Sequence, residues 1–228
     1  MIKAVIFDMF ETLVTHFESP VYMAKQIAAD IGITESKFRE IWNPTNVERT
    51  LGKLTIEEVI EDSLQSNNRY SLELFELIIR KWKQSKRECF NHIHMEIIPM
   101  LSAIKEMNIK VGLITNCYFE ERDVICSSIL FDYFDAVCMS CELGLQKPDI
   151  AIFQKCIQTL DVAPDECLYI GDGGSFELET AREIGMCPIQ AAWYLKEGTN
   201  QPAKRNAEFT QAESPMDVIL EIQNNRLS

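Results

Sequence analysis

The chain has 228 residues, of which 46% are apolar and 25% charged, the balance of a soluble globular protein built as one large domain or as a core with an inserted subdomain. A formal net charge of −13 and a pI near 4.7 exclude a general binder of nucleic-acid backbones, which needs a basic surface. No stretch approaches the run of about 20 apolar residues that a membrane helix requires, and Asp8 and Glu11 do not belong in a secretory signal, so neither nucleic acid nor membrane is an expected partner.

The first element, Lys3-Ala-Val-Ile-Phe-Asp8, is an apolar run of strand length that ends on a carboxylate. For about a hundred residues after it the pattern turns helical. Pro20 to Gly32 places Met23, Ile27 and Ile31 on one face, with Gly32 as a stop. Thr55-Ile-Glu-Glu58 has capping-box spacing ahead of Val59, Ile60 and Leu64. Asn67-Asn-Arg69 reads as a turn into a long helix from Ser71 to about Arg87, carrying Leu72, Phe75, Ile78, Ile79 and Trp82 at helical spacing. In this block Trp42, Tyr70, Phe75 and Trp82 are expected to form core, and Arg49 to be a solvated helix arginine.

The sheet pattern then resumes. A helix over Ile97 to Asn108 tolerates Pro99 in its first turn and leads into the strand Lys110-Val-Gly-Leu-Ile-Thr115. Phe119 to Leu130 is expected to be helical, Asp135 to Ser140 a strand, and Asp149 to Leu160 a helix. Glu166-Cys-Leu-Tyr-Ile-Gly-Asp172 is a further strand, Glu177 to Ile184 a helix, and Cys187 to Trp193 the last strand. Lys196 to Ala207 reads as a polar surface loop, and Ser214-Pro215 opens a terminal helix. Apolar strands alternating with helices predict an α/β fold with a doubly wound parallel sheet. In such sheets ligands bind beyond the carboxyl ends of the strands, near the switch point, so Asp8, Thr115 and Asp172 are expected to converge, with Lys147 nearby.

Those four residues sit in segments that resemble the motifs of the haloacid dehalogenase-like (HAD) superfamily, in order: Ile6-Phe-Asp-Met-Phe-Glu-Thr-Leu13, Leu113-Ile-Thr-Asn116, Lys147-Pro148-Asp149, and Gly171-Asp-Gly-Gly-Ser-Phe-Glu177. The resemblance runs from Met1 to about Trp193. It implies a Rossmann-like core over residues 1–15 and 93–228, and an inserted α-helical cap subdomain over residues 16–92 that closes over the site. It also implies Asp8 as nucleophile, forming an aspartyl-phosphate. Met9, Phe10, Thr115, Asn116 and Lys147 would surround the phosphate, with Lys147 offsetting its charge. Mg²⁺ would be held by Asp8, the Phe10 backbone carbonyl and Asp172, with Glu177 orienting metal-bound water. The Gly173-Gly174 N–H groups would face oxygen ligands.

Two positions depart from the family. Phe10 stands where most family phosphatases carry the aspartate that serves as general acid, and Glu11 stands where glycine is usual. General acid–base help is worth about 10²–10⁴-fold. The enzyme either prefers leaving groups that need little protonation or uses another acid, for which Glu11 is the nearest candidate. The expectation is a Mg²⁺-dependent phosphatase acting on a small phosphorylated metabolite, as a monomer or homodimer. The rivals are a metal-independent 2-haloacid dehalogenase and a phosphate-binding module that turns over poorly. His16 follows the nucleophile loop and is a candidate to line the cleft, whereas His92-x-His94 reads as exposed or packed rather than metal-binding. The Cys138-x-x-Cys141 pair lacks the second pair a zinc site needs, and eight scattered, reduced cysteines point to the cytoplasm.

Overall fold

Six strands form one sheet, parallel at every pairing and ordered β3-β2-β1-β4-β5-β6. The strands are β1 (Ala4–Phe7), β2 (Lys110–Thr115), β3 (Ala136–Met139), β4 (Cys167–Gly171), β5 (Cys187–Ala191) and β6 (Thr210–Ala212). The computed structural model describes residues 1–196, 201 and 203–225. Parallel strands need both faces covered, and the period of two along β1 divides them. Val5 and Phe7 pack with Met100, Leu101 and Ile104 of α6 (Ile97–Glu106) and with Val218 and Ile222 of α11 (Asp217–Asn224). Ala4 and Ile6 face the other way, onto Ile152, Phe153 and Cys156 of α9 (Ile150–Leu160) and Leu178 of α10 (Glu177–Glu183).

Between β1 and β2 the chain makes five helices: α1 (Ala24–Ile31), α2 (Glu35–Trp42), α3 (Asn46–Thr50), α4 (Ile56–Ser66) and α5 (Leu72–Glu88). They enclose a hydrophobic cluster of their own, including Ile27, Phe38, Ile60, Leu64, Ile78 and Trp82. Their ends follow local rules. Gly32 stops α1 at φ 79°, a backbone state glycine reaches without a Cβ clash. Thr55 and Glu58 form the capping box of α4, and Ser71 accepts from the Leu74 N–H to start α5.

Several expectations need correction. A sixth strand lies beyond β5, and β5 ends at Ala191 rather than Trp193. Its sequence, Thr210-Gln-Ala212, is too short and polar to show as an apolar run. Ser140 belongs to a one-turn helix, α8 (Ser140–Leu143), because its hydroxyl bonds the Cys117 backbone instead of continuing the ladder. The helix after Thr115 is α7 (Phe119–Ser127), three residues shorter than expected. The segment 196–207 is not simply a surface loop: Gln201 and Ala203 are buried, while residues 197–200 and 202 lie outside the described residues. Tyr70 is 46% exposed rather than core. Arg49 is 2% exposed, stacked 3.7 Å from the Trp42 ring centroid and 4.7 Å from that of Tyr118, so it is not a solvated arginine.

The insert is seated on the core through polar and steric contacts. Lys86 of α5 makes a buried ion pair with Glu121 of α7 at 2.6 Å, and the Trp82 indole N–H donates to Glu120 at 2.6 Å. Gly52, just after α3, lies against the backbone of α8. A Cβ there would sit 2.1 Å from the Cys141 carbonyl oxygen, and the φ of +69° is already left-handed. Gly52→Ala is therefore expected to cost about 3 kcal/mol, as left-handed strain and overpacking together. Urea denaturation followed by circular dichroism checks this, and a loss below about 0.5 kcal/mol would mean the insert does not rest on α8.

Candidate active site

β1, β2 and β4 are adjacent and end together, so the residues that follow them meet at one edge of the sheet. The Asp8 N–H still bonds Ile170 of β4 at 2.9 Å, which fixes the start of the loop, and its carboxylate accepts from the Met9 N–H at 2.7 Å. Lys147 Nζ donates to Asp8 Oδ1 at 2.7 Å, and both residues are buried. Asn116 holds that lysine from β2: its Oδ1 accepts from the Lys147 N–H at 2.8 Å and its Nδ2 donates to the Lys147 carbonyl at 3.1 Å. The side chain of Asn116 thus has a positioning task that the expected backbone contact did not include.

Asp172 and Glu177 approach from the loop after β4. One oxygen from each of Asp8, Asp172 and Glu177 lies within 4.8 Å of the others. A Cβ at Gly171 would fall 2.9 Å from Glu177 Oε1, so glycine is what lets that carboxylate fold back over the strand end. The loop amides are engaged by these acids rather than left for a ligand. Gly173 and Ser175 donate to the two oxygens of Glu177 at 2.8 and 2.7 Å, and Gly174 donates to Asp172 at 2.9 Å. Gln190 of β5, which carried no signal in the sequence, donates to the Asp172 carbonyl at 2.7 Å and to the Lys204 carbonyl at 2.8 Å. The Thr115 hydroxyl is buried with no protein partner, a state worth about 1–3 kcal/mol of unmet hydrogen bonding.

Electrostatics follow from this crowding. Burial pushes the Asp8 carboxyl up to about 6 against the pull of Lys147, with the neighbouring charge of Glu177 adding to the rise. Asp172 is raised well above the usual carboxylate range, by burial and then by Glu177 and Asp8. Glu177 goes the other way: burial opposes its charge, but Lys147 and the amides of its own loop prevail. Lys147 is raised because the surrounding carboxylates outweigh its burial. Three clustered oxygen ligands, two of them hard to ionise unaided, have the chemistry to hold a hard divalent cation. His92 and His94 contribute to no such cluster among the described residues.

Phe10 and Glu11 complete the floor. Glu11 adopts φ 59°, the left-handed state that favours glycine, and its carboxylate accepts from the Thr15 hydroxyl and the His16 N–H. Both oxygens are thereby engaged within the loop. His16 stacks on Phe10 with centroids 4.5 Å apart, and its ring nitrogens face Glu11 at 3.4 Å and Glu121 at 3.7 Å. A cavity of about 280 Å³ reaches Asp8, Lys147 and Asp172. It shares Phe10, His16, Met23, Asn116 and Ser175 as walls with a second cavity of about 500 Å³ under the helical insert. Six of the eight cysteines are buried and all are free. Among the described residues no helix is long and apolar enough to cross a membrane.

A model of the haloacid dehalogenase-like hydrolase family matches residues 2–185. A glyceraldehyde 3-phosphate phosphatase of Methanopyrus kandleri is 25% identical over 131 residues, which span 56% of this chain and 56% of that protein. A 2-haloacid dehalogenase from Pseudomonas syringae pv. Tomato shares the fold at TM-score 0.70 and 20% identity, over 98% of this chain and 99% of that one. A HAD-family enzyme from Bacteroides thetaiotaomicron, in complex with magnesium and inorganic phosphate, matches at TM-score 0.64 and 18% identity, over 88% and 97% of the two chains.

The raised Asp8 and Asp172 carboxyls bind protons more tightly folded than unfolded. Their stabilising contribution is full below the ordinary carboxylate pKa and, for Asp8, is lost as pH rises through about 6. Asp172→Asn removes one of the crowded charges. In EDTA it should raise stability at pH 8, where the buried carboxylate would have to ionise, and by less at pH 5. Thermal melts at the two pH values measure this. An equal effect at both would mean the carboxylates do not repel one another.

Proposed function

Because the chain belongs to the haloacid dehalogenase-like hydrolases, we propose that it is a Mg²⁺-dependent phosphatase that cleaves a small phosphorylated metabolite through an aspartyl-phosphate on Asp8. The observation that carries this reading is the buried cluster of Asp8, Asp172 and Glu177 with the Lys147 ammonium on Asp8. A phosphatase name for the Methanopyrus relative and a bound magnesium and phosphate in the Bacteroides fold relative support it.

Asp8 Oδ1 is held by Lys147 and the Met9 amide, which fixes the carboxylate before a substrate arrives. Asp8 attacks phosphorus, the ester oxygen leaves, and water later attacks the acyl-phosphate to regenerate the carboxylate. Lys147, with the Thr115 hydroxyl, balances charge gathering on the phosphoryl oxygens. Asn116 keeps that ammonium in place by gripping the Lys147 backbone. Asp8, the Phe10 carbonyl and Asp172 would be the metal's protein ligands, with Glu177 behind them. The bound cation would supply the positive field that lets the clustered carboxylates and a phosphate share one pocket. The helical insert, with residues 16–92 as the cap and 1–15 with 93–228 as the core, would close over the substrate. Its separate hydrophobic cluster supports that division.

A metal-independent dehalogenase is the second reading, favoured by the aromatic residue at position 10 and by the Pseudomonas fold relative. Three carboxylates packed together weigh against it, since displacement of halide by Asp8 has no use for two further buried acids. A phosphate-binding module without turnover remains the rival outside catalysis.

Hydrolysis of p-nitrophenyl phosphate with Mg²⁺ is expected to stop with EDTA and to fall at least about 10⁴-fold in Asp8→Asn. Lys147→Met should cost about 10²–10³-fold in kcat. Chloride release from 2-chloropropionate, or tight phosphate binding without turnover, would replace the phosphatase reading with one of its rivals.

A further inference from the structure

The half of the ester that leaves must occupy the cavity above Asp8, and the walls there constrain its chemistry. This step rests on the phosphatase reading. Phe10, Trp42 and Tyr118 line the larger cavity, beside the polar side chains of Asn46, Thr50, Asn116 and Gln146. These rings are fixed from behind. The Arg49 guanidinium stacks on both Trp42 and Tyr118, and the Tyr118 hydroxyl donates to Asn46 at 2.7 Å. Phe10 is backed by Phe90, edge-on at 6.4 Å, and by His16. Flat, preformed aromatic walls favour a flat apolar group.

Every cation on the walls of the two cavities, among the described residues, already has a carboxylate. Lys86 is paired with Glu121 at 2.6 Å, Arg39 with Glu35 at 2.7 Å and Lys147 with Asp8 at 2.7 Å. No ammonium or guanidinium on those walls is without a carboxylate, and Arg49, which has none, lies behind the rings of Trp42 and Tyr118 rather than on the cavity wall.

The carboxyl groups on these walls are committed in the same way. Both oxygens of Glu11 accept within its own loop. Glu121 is salt-bridged to Lys86, which with His16 holds its carboxyl down to about 2 despite burial, so it carries no proton at neutral pH. His16 Nδ1 lies 3.4 Å from Glu11, while its Nε2, 3.7 Å from Glu121, is buried with no hydrogen-bond partner, so the imidazole is the one side chain here whose role as donor the His16→Asn variant must decide. An alkoxide, as basic as the conjugate base of water with its pKa of about 15.7, would leave unaided with difficulty. A phenolate, whose parent acid has a pKa of about 10, would not.

We infer that the substrate is an aryl phosphate monoester, its uncharged ring seated against Phe10, Trp42 and Tyr118 and leaving as a phenolate. In the first step an Asp8 oxygen bonds phosphorus while the P–O(aryl) bond breaks, its electron pair going to the phenolate. The phenolate takes a proton from solvent. A water oxygen then bonds phosphorus, the Asp8–phosphorus bond breaks, the water's proton passes to solvent, and inorganic phosphate leaves.

Steady-state kinetics with Mg²⁺ on phenyl phosphate, 2-phenylethyl phosphate, phosphoglycolate and acetyl phosphate test this. The kcat for phenyl phosphate should exceed that for 2-phenylethyl phosphate by at least about 10²-fold, the size of general-acid help. Phosphoglycolate should have the lowest kcat/KM. Trp42→Leu, checked for folding by circular dichroism, should raise the KM for phenyl phosphate about tenfold. Equal kcat on the phenyl and phenylethyl esters, preference for phosphoglycolate, or an unchanged KM in folded Trp42→Leu would overturn the inference. So would alkyl-ester turnover that His16→Asn abolishes, which would make the imidazole the missing acid. If acetyl phosphate, which has neither ring nor basic leaving group, is also untouched by the wild-type enzyme, it is the phosphatase reading that fails.

Discussion

One ammonium among three carboxylates is the constraint on which this site depends. Lys147 touches Asp8 at 2.7 Å in a pocket where Asp8, Asp172 and Glu177 are all buried. Buried charges are tolerable only when paired and hydrogen-bonded, and a single positive charge cannot neutralise three negative ones. The fold answers with backbone: two N–H groups on Glu177, one on Asp172 and one on Asp8. Even so, Asp8 and Asp172 are held above their ordinary pKa values. A site that still lacks positive charge after the protein has supplied its own has the chemistry to hold a cation from outside.

The parallel sheet makes that concentration of charge possible. β1 lies between β2 and β4, so three strand ends deliver Asp8, Thr115 and Asp172 to one edge while the strands stay apolar on both faces. Asn116 then couples β2 to the Lys147 loop through two hydrogen bonds to backbone atoms. A second buried pair, Lys86 with Glu121, does for the insert what Lys147 with Asp8 does at the sheet edge. Breaking such a pair by removing one partner typically costs about 3–5 kcal/mol, since the other charge is left stranded. The insert is therefore tied to the core at α7 by electrostatics and at α8 by the close approach of Gly52.

Much of this was legible in the sequence because it is carried by local pattern. β1, β2 and β4 are apolar runs of strand length, and α4 and α5 announce their starts with Thr55 and Ser71. The convergence of Asp8, Thr115 and Asp172 followed from strand ends alone. What escaped was decided by partners distant in sequence. The short α2 and α3 lack long apolar stripes, and β6 is a three-residue edge strand whose register is set by β5. Arg49 read as a surface arginine because nothing near it in sequence shows that Tyr118 will close over it from the core. Gln190 and the side chain of Asn116 act on backbone groups that only the folded chain brings near.

The departures at positions 10 and 11 have a common physical consequence. Glu11 occupies a left-handed backbone position at a cost of about 1–2 kcal/mol. Its two hydrogen bonds to Thr15 and His16 recover part of that cost, and they bring the His16 ring down onto Phe10. An acid that glycine would not provide is thus used to close the loop, and the imidazole it positions lies against Phe10. Phe10 and His16 line both cavities, and Trp42 and Tyr118 line the larger of the two. A carboxylate at position 10 would add another negative charge beside a pocket that already holds three. An uncharged ring there leaves the crowding around Lys147 at the three carboxylates that the single ammonium and the loop amides already have to offset.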